Sequence, residues 1–487
     1  MAQGHMDRLS AIDASFLANE SGTSHMHVGA ITIFEGPPPA YDDLLAHIES
    51  RLHLVPRYRQ KLAFPPVETG RPFWVDDPQF NLGYHVRHSA LPAPGGEDEL
   101  RRMGARVFSQ QLDRTKPLWE LWLVEGLRKK RFALISKTHH ALVDGVSGVD
   151  IATVLFDVKP VPETTGPPRE WIPRPEPSGA ALAARGLGSA ARAPLGVVRR
   201  AAGVAGSPNS TLRSVQQAAE GLGEVAWEFA NPAPDMPLNV PIGPHRRFVW
   251  VRGDLADLKR IKGELGGTVN DVVLTTVAGA MRRWLRARGV RTEGLELRAL
   301  VPVSIRAEDQ HGELGNQIAA VRGPLPVYVE DPVARLRTVR EAMDDVKSSK
   351  KALGAEMITR FNDFAPPTLL AQASRINFST RLFNLIVTNV PGPQFPLYVL
   401  GRELLDIFPV AFLPENHALA IAIMSYNGKI DFGLLGDYDA MEDVTLVAEG
   451  IEAEIKQLLE AAKASEKSAK GTTTKRVNGR RAASKPT

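Results

Sequence analysis

The sequence predicts an α/β chain of the α+β sandwich type, folded as two halves. Three observations predict it. Apolar runs of strand length alternate with stretches that repeat apolar residues every three or four positions, so strands and helices are mixed from end to end. A proline-rich stretch from Lys159 to Pro177 interrupts that alternation. The chain has 487 residues, more than one core of ordinary size organises.

The elements follow in order. His27 to Phe34 alternates toward a strand, and Tyr41 to Leu52 reads as a helix. A second helix is expected over Asp98 to Leu112, with Leu100, Met103, Val107 and, less cleanly, Gln111 on its inner face. Trp119 to Val124 and Phe132 to Thr138 read as neighbouring strands and complete a first half over residues 1–160. Residues 161–245 read as a linker with crossover helices. Within them, Arg185, Arg192 and Arg199 recur every seven residues and would share one helix face opposite Leu182, Leu187, Leu195 and Val198. A basic amphipathic segment of this kind suits a membrane interface, and a mobile interdomain connection accounts for it equally well. Leu212, Val215, Ala219, Leu222, Ala226 and Phe229 predict a firmer helix.

The second half spans 246–460. Thr268 reads as an N-cap with Asp271 three residues later, in place of the usual Glu. Strands are expected around Leu297 to Val303, Leu385 to Asn389, Leu419 to Met424 and Ile430 to Leu435, then a terminal helix from Asp443 to Lys463. Residues 461–487 carry eight basic side chains and one acidic one, so the formal charge of +4 comes from this segment. Its Ser, Thr, Gly and Ala content predicts a disordered basic tail.

Composition narrows the chemistry. There is no cysteine, which excludes disulfides, thiolate metal sites and a cysteinyl acyl-enzyme. The N-terminus lacks a basic-then-apolar secretion signal, and no run approaches the roughly 20 apolar residues of a membrane span. A cytoplasmic protein is expected, with any contact to membranes or lipid bodies peripheral. The tail lacks interleaved aromatics, so no specific nucleic-acid partner is expected. Attraction to anionic lipid is as good a reading of the tail as nucleic acid, and simple solubilisation is the plainest.

The chemistry concentrates in Lys137-Thr138-His139-His140-Ala141-Leu142-Val143-Asp144-Gly145, a His-His-x-x-x-Asp-Gly pattern. It follows the buried strand and precedes Val146 to Leu155, which reads as a helix. Gly145 supplies backbone freedom for the turn. Neighbouring strand residues point to opposite faces, so one histidine alone can face a given cavity. Asp144 can fold back to orient an imidazole or brace the loop. This suits a general base acting on a hydroxyl. No third histidine or carboxylate sits at ligand spacing, so no metal is expected.

At these residues the chain resembles the bacterial wax ester synthase/diacylglycerol acyltransferase family, within the CoA-dependent acyltransferases. The likeness runs from about Leu9 to Ile455. Leu9-Ser10-Ala11-Ile12-Asp13-Ala14-Ser15-Phe16-Leu17 leads to Met26-His27-Val28-Gly29, and Pro117-Leu118-Trp119 matches the family's Pro-Leu-Trp block. Leu238-Asn239 and Asn270-Asp271 follow, then Val301 to Arg306, Leu314 to Gln317 and Thr388 to Pro393. The resemblance implies two chloramphenicol-acetyltransferase-like subdomains with a central channel between them. It implies His140 as the base, His139 as a supporting neighbour, and Asp144 as a structural residue with Arg306 as its partner. Asn270 is the expected oxyanion donor or acceptor-positioning group. Asp431-Phe432-Gly433 resembles a block of related plant acyltransferases near the channel. Trp119 and Trp122 read first as core aromatics.

The resemblance therefore implies transfer of a fatty acyl group from acyl-CoA to diacylglycerol or a long-chain alcohol. Acyl-CoA is a substrate in this reading, and no cofactor is needed. Two alternatives remain open: a condensation-type enzyme using a carrier-bound thioester, and a non-catalytic lipid-binding or lipid-droplet protein.

Overall fold

A computed structural model describes residues 6–66, 70–143, 154–161, 171–185, 231–304, 318–348 and 378–482. The strands are β1 (Asp7–Arg8), β2 (His27–Phe34), β3 (Gln60–Ala63), β4 (Phe73–Asp76), β5 (Val86–Ala90), β6 (Trp119–Glu125) and β7 (Phe132–His139) in the first half. The second half holds β8 (Arg246–Asp254), β9 (Leu297–Ser304), β10 (Ile318–Leu325), β11 (Leu385–Pro391), β12 (Tyr398–Val399), β13 (Arg402–Val410), β14 (Leu419–Tyr426) and β15 (Lys429–Asp437). They form two six-stranded sheets, ordered β12-β13-β2-β7-β6-β5 and β10-β9-β11-β14-β15-β8, with a small sheet β1-β4-β3 beside the first. The α/β sandwich architecture expected from the sequence is the one observed.

The first sheet is organised around β2 and β7, which pair antiparallel from His27↔His139 to Phe34↔Phe132. Gly29 has a steric reason. A Cβ there would lie 1.9 Å from the Ser136 carbonyl oxygen of the neighbouring strand. The Tyr41–Arg51 helix packs Leu44 and Ile48 under this sheet, and the Glu97–Ser109 helix packs Leu100, Val107 and Phe108 on the other side. In the second sheet, β14 is almost continuously apolar and buried at every residue but Met424, as a central strand covered on both faces must be. The Val269–Ala287 helix packs into the same core, fourteen of its nineteen residues buried.

Two differences from the sequence reading stand out. First, β13 leaves the second half and pairs antiparallel with β2, from Leu404↔Phe34 to Val410↔Gly29. The boundary at residue 246 therefore does not separate two sheets: one sheet takes strands from both halves. The crossing needs Gly433, because a Cβ on β15 would sit 1.9 Å from the Pro409 carbonyl oxygen of β13. The Asp431-Phe432-Gly433 block thus lies at the seam between the sheets. Second, the terminal helix runs from Val444 to Ala482, into the segment expected to be a disordered tail. Ala, Lys, Glu and Arg there are strong helix formers, enough to continue a helix already docked upstream.

The segment with Arg185, Arg192 and Arg199 is described only to residue 185, helical from 179, with Leu182 packed against Ala63, Phe73 and Val75. The helix expected over Leu212 to Phe229 lies outside the described residues.

Candidate active site

The histidine pair sits where β7 ends. His139 is the last strand residue and His140 opens the helical turn His140–Val143. The two rings part because the backbone changes from strand to helix between them, a sharper separation than strand alternation alone.

His139 is fully buried. Its Nδ1 accepts the backbone N–H of Ala141 at 3.1 Å, which places the ring proton on Nε2. That nitrogen lies 3.5 Å from Oε2 of Glu20. Glu20 also faces Nε2 of His27 at 3.4 Å through Oε1, and the Arg114 guanidinium closes on Oε2, its Nε at 2.7 Å. Burial acts to raise the Glu20 carboxyl, but the hydrogen bonds and charge of His139 and His27 outweigh it and hold the group well below the usual carboxylate range. Burial, helped by Lys137 and His139, pushes His27 down to about 3 against the pull of Glu20. Glu20 is thus an anion beneath the site. It fixes His139, and His139 in turn fixes the turn that presents His140.

His140 is anchored through its backbone, its N–H donating to the Met26 carbonyl at 2.8 Å. Its imidazole stacks on Phe16 of the Ala11–Asn19 helix, ring centroids 3.9 Å apart and 23° between planes. Phe412, just past β13, meets the same ring edge-on at 5.7 Å. Elements of both halves therefore converge on this imidazole.

Asn270 lies in the first turn of the Val269–Ala287 helix, and its Oδ1 accepts from Nδ2 of Asn389 at 3.4 Å. The Asn-Asp block and the Thr388–Pro393 block are thereby brought together. Asp271 is fully buried and closes the expected capping box: Thr268 N–H and Oγ1 each donate to its Oδ2 at 2.8 Å. Its contacts are those of a helix cap. In the Pro-Leu-Trp block, Pro117, Leu118 and Trp119 are buried. Trp119 stacks on His85 at 4.7 Å and donates through Nε1 to the Tyr58 carbonyl at 2.8 Å, so it is a core aromatic. Leu238-Asn239 is tied to β11 through Asn384, whose Nδ2 donates to Asn239 Oδ1 at 2.8 Å.

Asp144, Gly145 and Arg306, with the expected Asp144–Arg306 pairing, lie outside the described residues, as does Leu314 to Gln317. Glu20, His27 and Arg114 were not singled out as site residues from the sequence. The one signal was His27 in its Met-His-Val-Gly block, register-paired with His139.

Comparisons with known proteins identify the family. The family model of the wax ester synthase/diacylglycerol acyltransferase catalytic domain matches residues 9–273, and that of the WS/DGAT C-terminal domain matches 314–459. A Mycobacterium tuberculosis protein named a probable diacylglycerol O-acyltransferase is 33% identical over 469 residues, covering 94% of this chain and 97% of its own length. The solved wax ester synthase/diacylglycerol acyltransferase from Marinobacter aquaeolei VT8 covers 94% of this chain and 100% of its own, with TM-score 0.64 and 27% identity. The first condensation domain of the calcium-dependent antibiotic synthetase shares the fold, with TM-score 0.55, 15% identity and 94% and 96% coverage. Among the described residues no helix is long and apolar enough to cross a membrane. With both family models matched in order along it, the chain belongs to the wax ester synthase/diacylglycerol acyltransferase family and is an acyltransferase.

Proposed function

We propose that this chain transfers a long-chain fatty acyl group from acyl-CoA to a lipid hydroxyl, that of diacylglycerol, a long-chain alcohol or both, with His140 as the general base. The observation that carries this reading is an imidazole held at a strand end, its face and edge against phenylalanines from both halves. A base in apolar surroundings suits an alcohol attached to a hydrocarbon chain.

In this reading the His140 imidazole takes the hydroxyl proton as the alcohol oxygen attacks the thioester carbonyl. A tetrahedral oxyanion forms and then collapses, the C–S bond breaks, and the proton passes from His140 to the leaving thiolate. The chain has no cysteine to hold the acyl group, so transfer is direct. Asn389 occupies the Asn270 oxygen, which leaves the Asn270 Nδ2 hydrogens as the donors to offer the oxyanion. The proposed chemistry calls on no cofactor.

The test is incubation of the purified chain with palmitoyl-CoA and either dioleoylglycerol or hexadecanol, following free thiol and lipid products. Thiol release that depends on an acceptor, with triacylglycerol or wax ester formed, is the expected result and names the preferred alcohol. No release with either acceptor would overturn the acyl-CoA reading and favour a carrier-bound donor or a binding role.

A further inference from the structure

The surroundings of His140 present a chemical problem. An imidazole able to deprotonate an alcohol can also deprotonate water. Water attack would form a C–O bond to the acyl carbon, break the C–S bond and deliver the proton to the thiolate, giving free fatty acid and CoA thiol. That reaction needs no further reactant and competes with every transfer.

Two phenylalanines touch the base and a third braces them. Phe16 stacks on the imidazole and Phe412 meets it edge-on. Phe16 and Phe412 also touch each other, centroids 5.8 Å apart at 77°. Phe378 joins both, 6.2 Å from Phe16 and 5.8 Å from Phe412. The rings come from three separate places: the Ala11–Asn19 helix, the stretch after β13 and the approach to β11. Phe412 is held firmly. Ser24 Oγ donates to the adjacent Leu413 carbonyl at 2.8 Å, and Val410 is paired to Gly29 in the sheet.

A water molecule stays in a cavity where it finds about three hydrogen bonds. Phenyl faces and edges offer it little of that kind, whereas an alkyl alcohol gains by covering them with its chain. We infer that Phe16, Phe378 and Phe412 form a collar that makes His140 activate a lipid hydroxyl in preference to water. They are specificity-determining residues for the choice of nucleophile. This inference rests on the acyl-transfer reading above and adds a property that reading does not require.

The experiment measures the ratio of free palmitate to ester formed per thiol released, with palmitoyl-CoA and dioleoylglycerol or hexadecanol in parallel, in the full chain. A ratio is independent of how much of a variant folds. Phe412→Ala is expected to raise the acid-to-ester ratio about tenfold or more by admitting water beside the base. Phe412→Leu, which keeps an apolar side chain, is expected to raise it less. Phe383→Leu serves as the control. Phe383 touches Phe378 at 6.5 Å and stacks on His417, behind the collar and two rings from the base. It should leave the ratio unchanged if the effect belongs to the collar. An unaltered ratio in both Phe412 variants, with thiol release retained, would overturn the inference and leave acyl transfer standing. An equal rise in Phe383→Leu would also overturn it, because general loosening would then explain the result. Absence of thiol release from the unsubstituted chain would remove the acyl-transfer reading and the collar together.

Discussion

The end of β7 and the first turn of the Val269–Ala287 helix beside β11 handle buried polarity in opposite ways. The β7 end is wired to ionisable groups: His139, Glu20, His27 and Arg114, with Lys137 two residues upstream buried against Glu120 at 3.3 Å. The β11 side uses neutral amides, Asn270 with Asn389 and Asn239 with Asn384. The difference matches the two tasks proposed for them. A group that moves a proton must be presented in one orientation, and a buried anion that fixes the neighbouring His139 holds the turn carrying it. A group that only holds an oxyanion is better neutral, because its donor strength then does not change with pH.

Each prediction strains that contrast. The largest effect is expected from His140→Ala, a loss of about 10²–10⁴ in rate in a protein that still folds. Retention of near-normal turnover would remove the base from the β7 side. Asn270→Ala should cost about 10²–10³ in kcat with an unmoved pH profile. If its profile shifts, the neutral side of the comparison fails.

Glu20→Gln should lower the rate by about ten- to a hundredfold, because a hydrogen bond to a charged group is worth roughly 1.5–3 kcal/mol. It should also alter the acid limb of the melting curve. A carboxyl held low in the folded state contributes stability that is present above its ordinary value of 4.5 and lost as pH falls through the folded one. His27, pushed from 6.5 down to about 3, contributes stability that is intact above 6.5 and lost on the way to 3. Both act in the same direction, so the melting temperature of the unsubstituted chain should fall below about pH 6.5. A flat profile from pH 7 to 4 would break the ionic account of the β7 end.

The smallest effect is expected at the seam. Burial, and then the charge of Asp406, raises the Asp431 carboxyl to about 7. The sign is reversed here, since this group's contribution is present below 3.8 and lost as pH rises through 7. Asp431→Asn should therefore melt about one to a few degrees higher than the parent at pH 8, with a smaller gain at pH 5. Equal melting at both values would show that Asp431 stays ionised.

Much of this architecture was legible in the residues. β2 alternates toward a strand, β7 opens on the apolar run Phe132 to Ile135, and Thr268 with Asp271 announces a helix start by local chemistry alone. β13 was not legible. Arg402–Val410 carries three charged residues and a proline, and its choice of β2 as partner depends on packing between segments remote in sequence. Glu20 was hidden for a related reason. Set among Asn19, Ser21 and Gly22, it has the surroundings of a surface turn, and only the meeting of β2 with β7 buries it against two imidazoles. Roles that rest on one residue's backbone position were readable, and roles created by distant segments were not.

The strand exchange also has a consequence for synthesis. β2 is made early, yet its second neighbour in the sheet is made nearly four hundred residues later. At roughly 5–20 residues per second, the nascent first sheet waits tens of seconds with Ile31, Ile33 and Phe34 on an unpaired edge. During that interval the emerging chain is open to pairing with any neighbouring strand, so its yield in a cell should depend on how crowded and how well chaperoned the ribosome exit is.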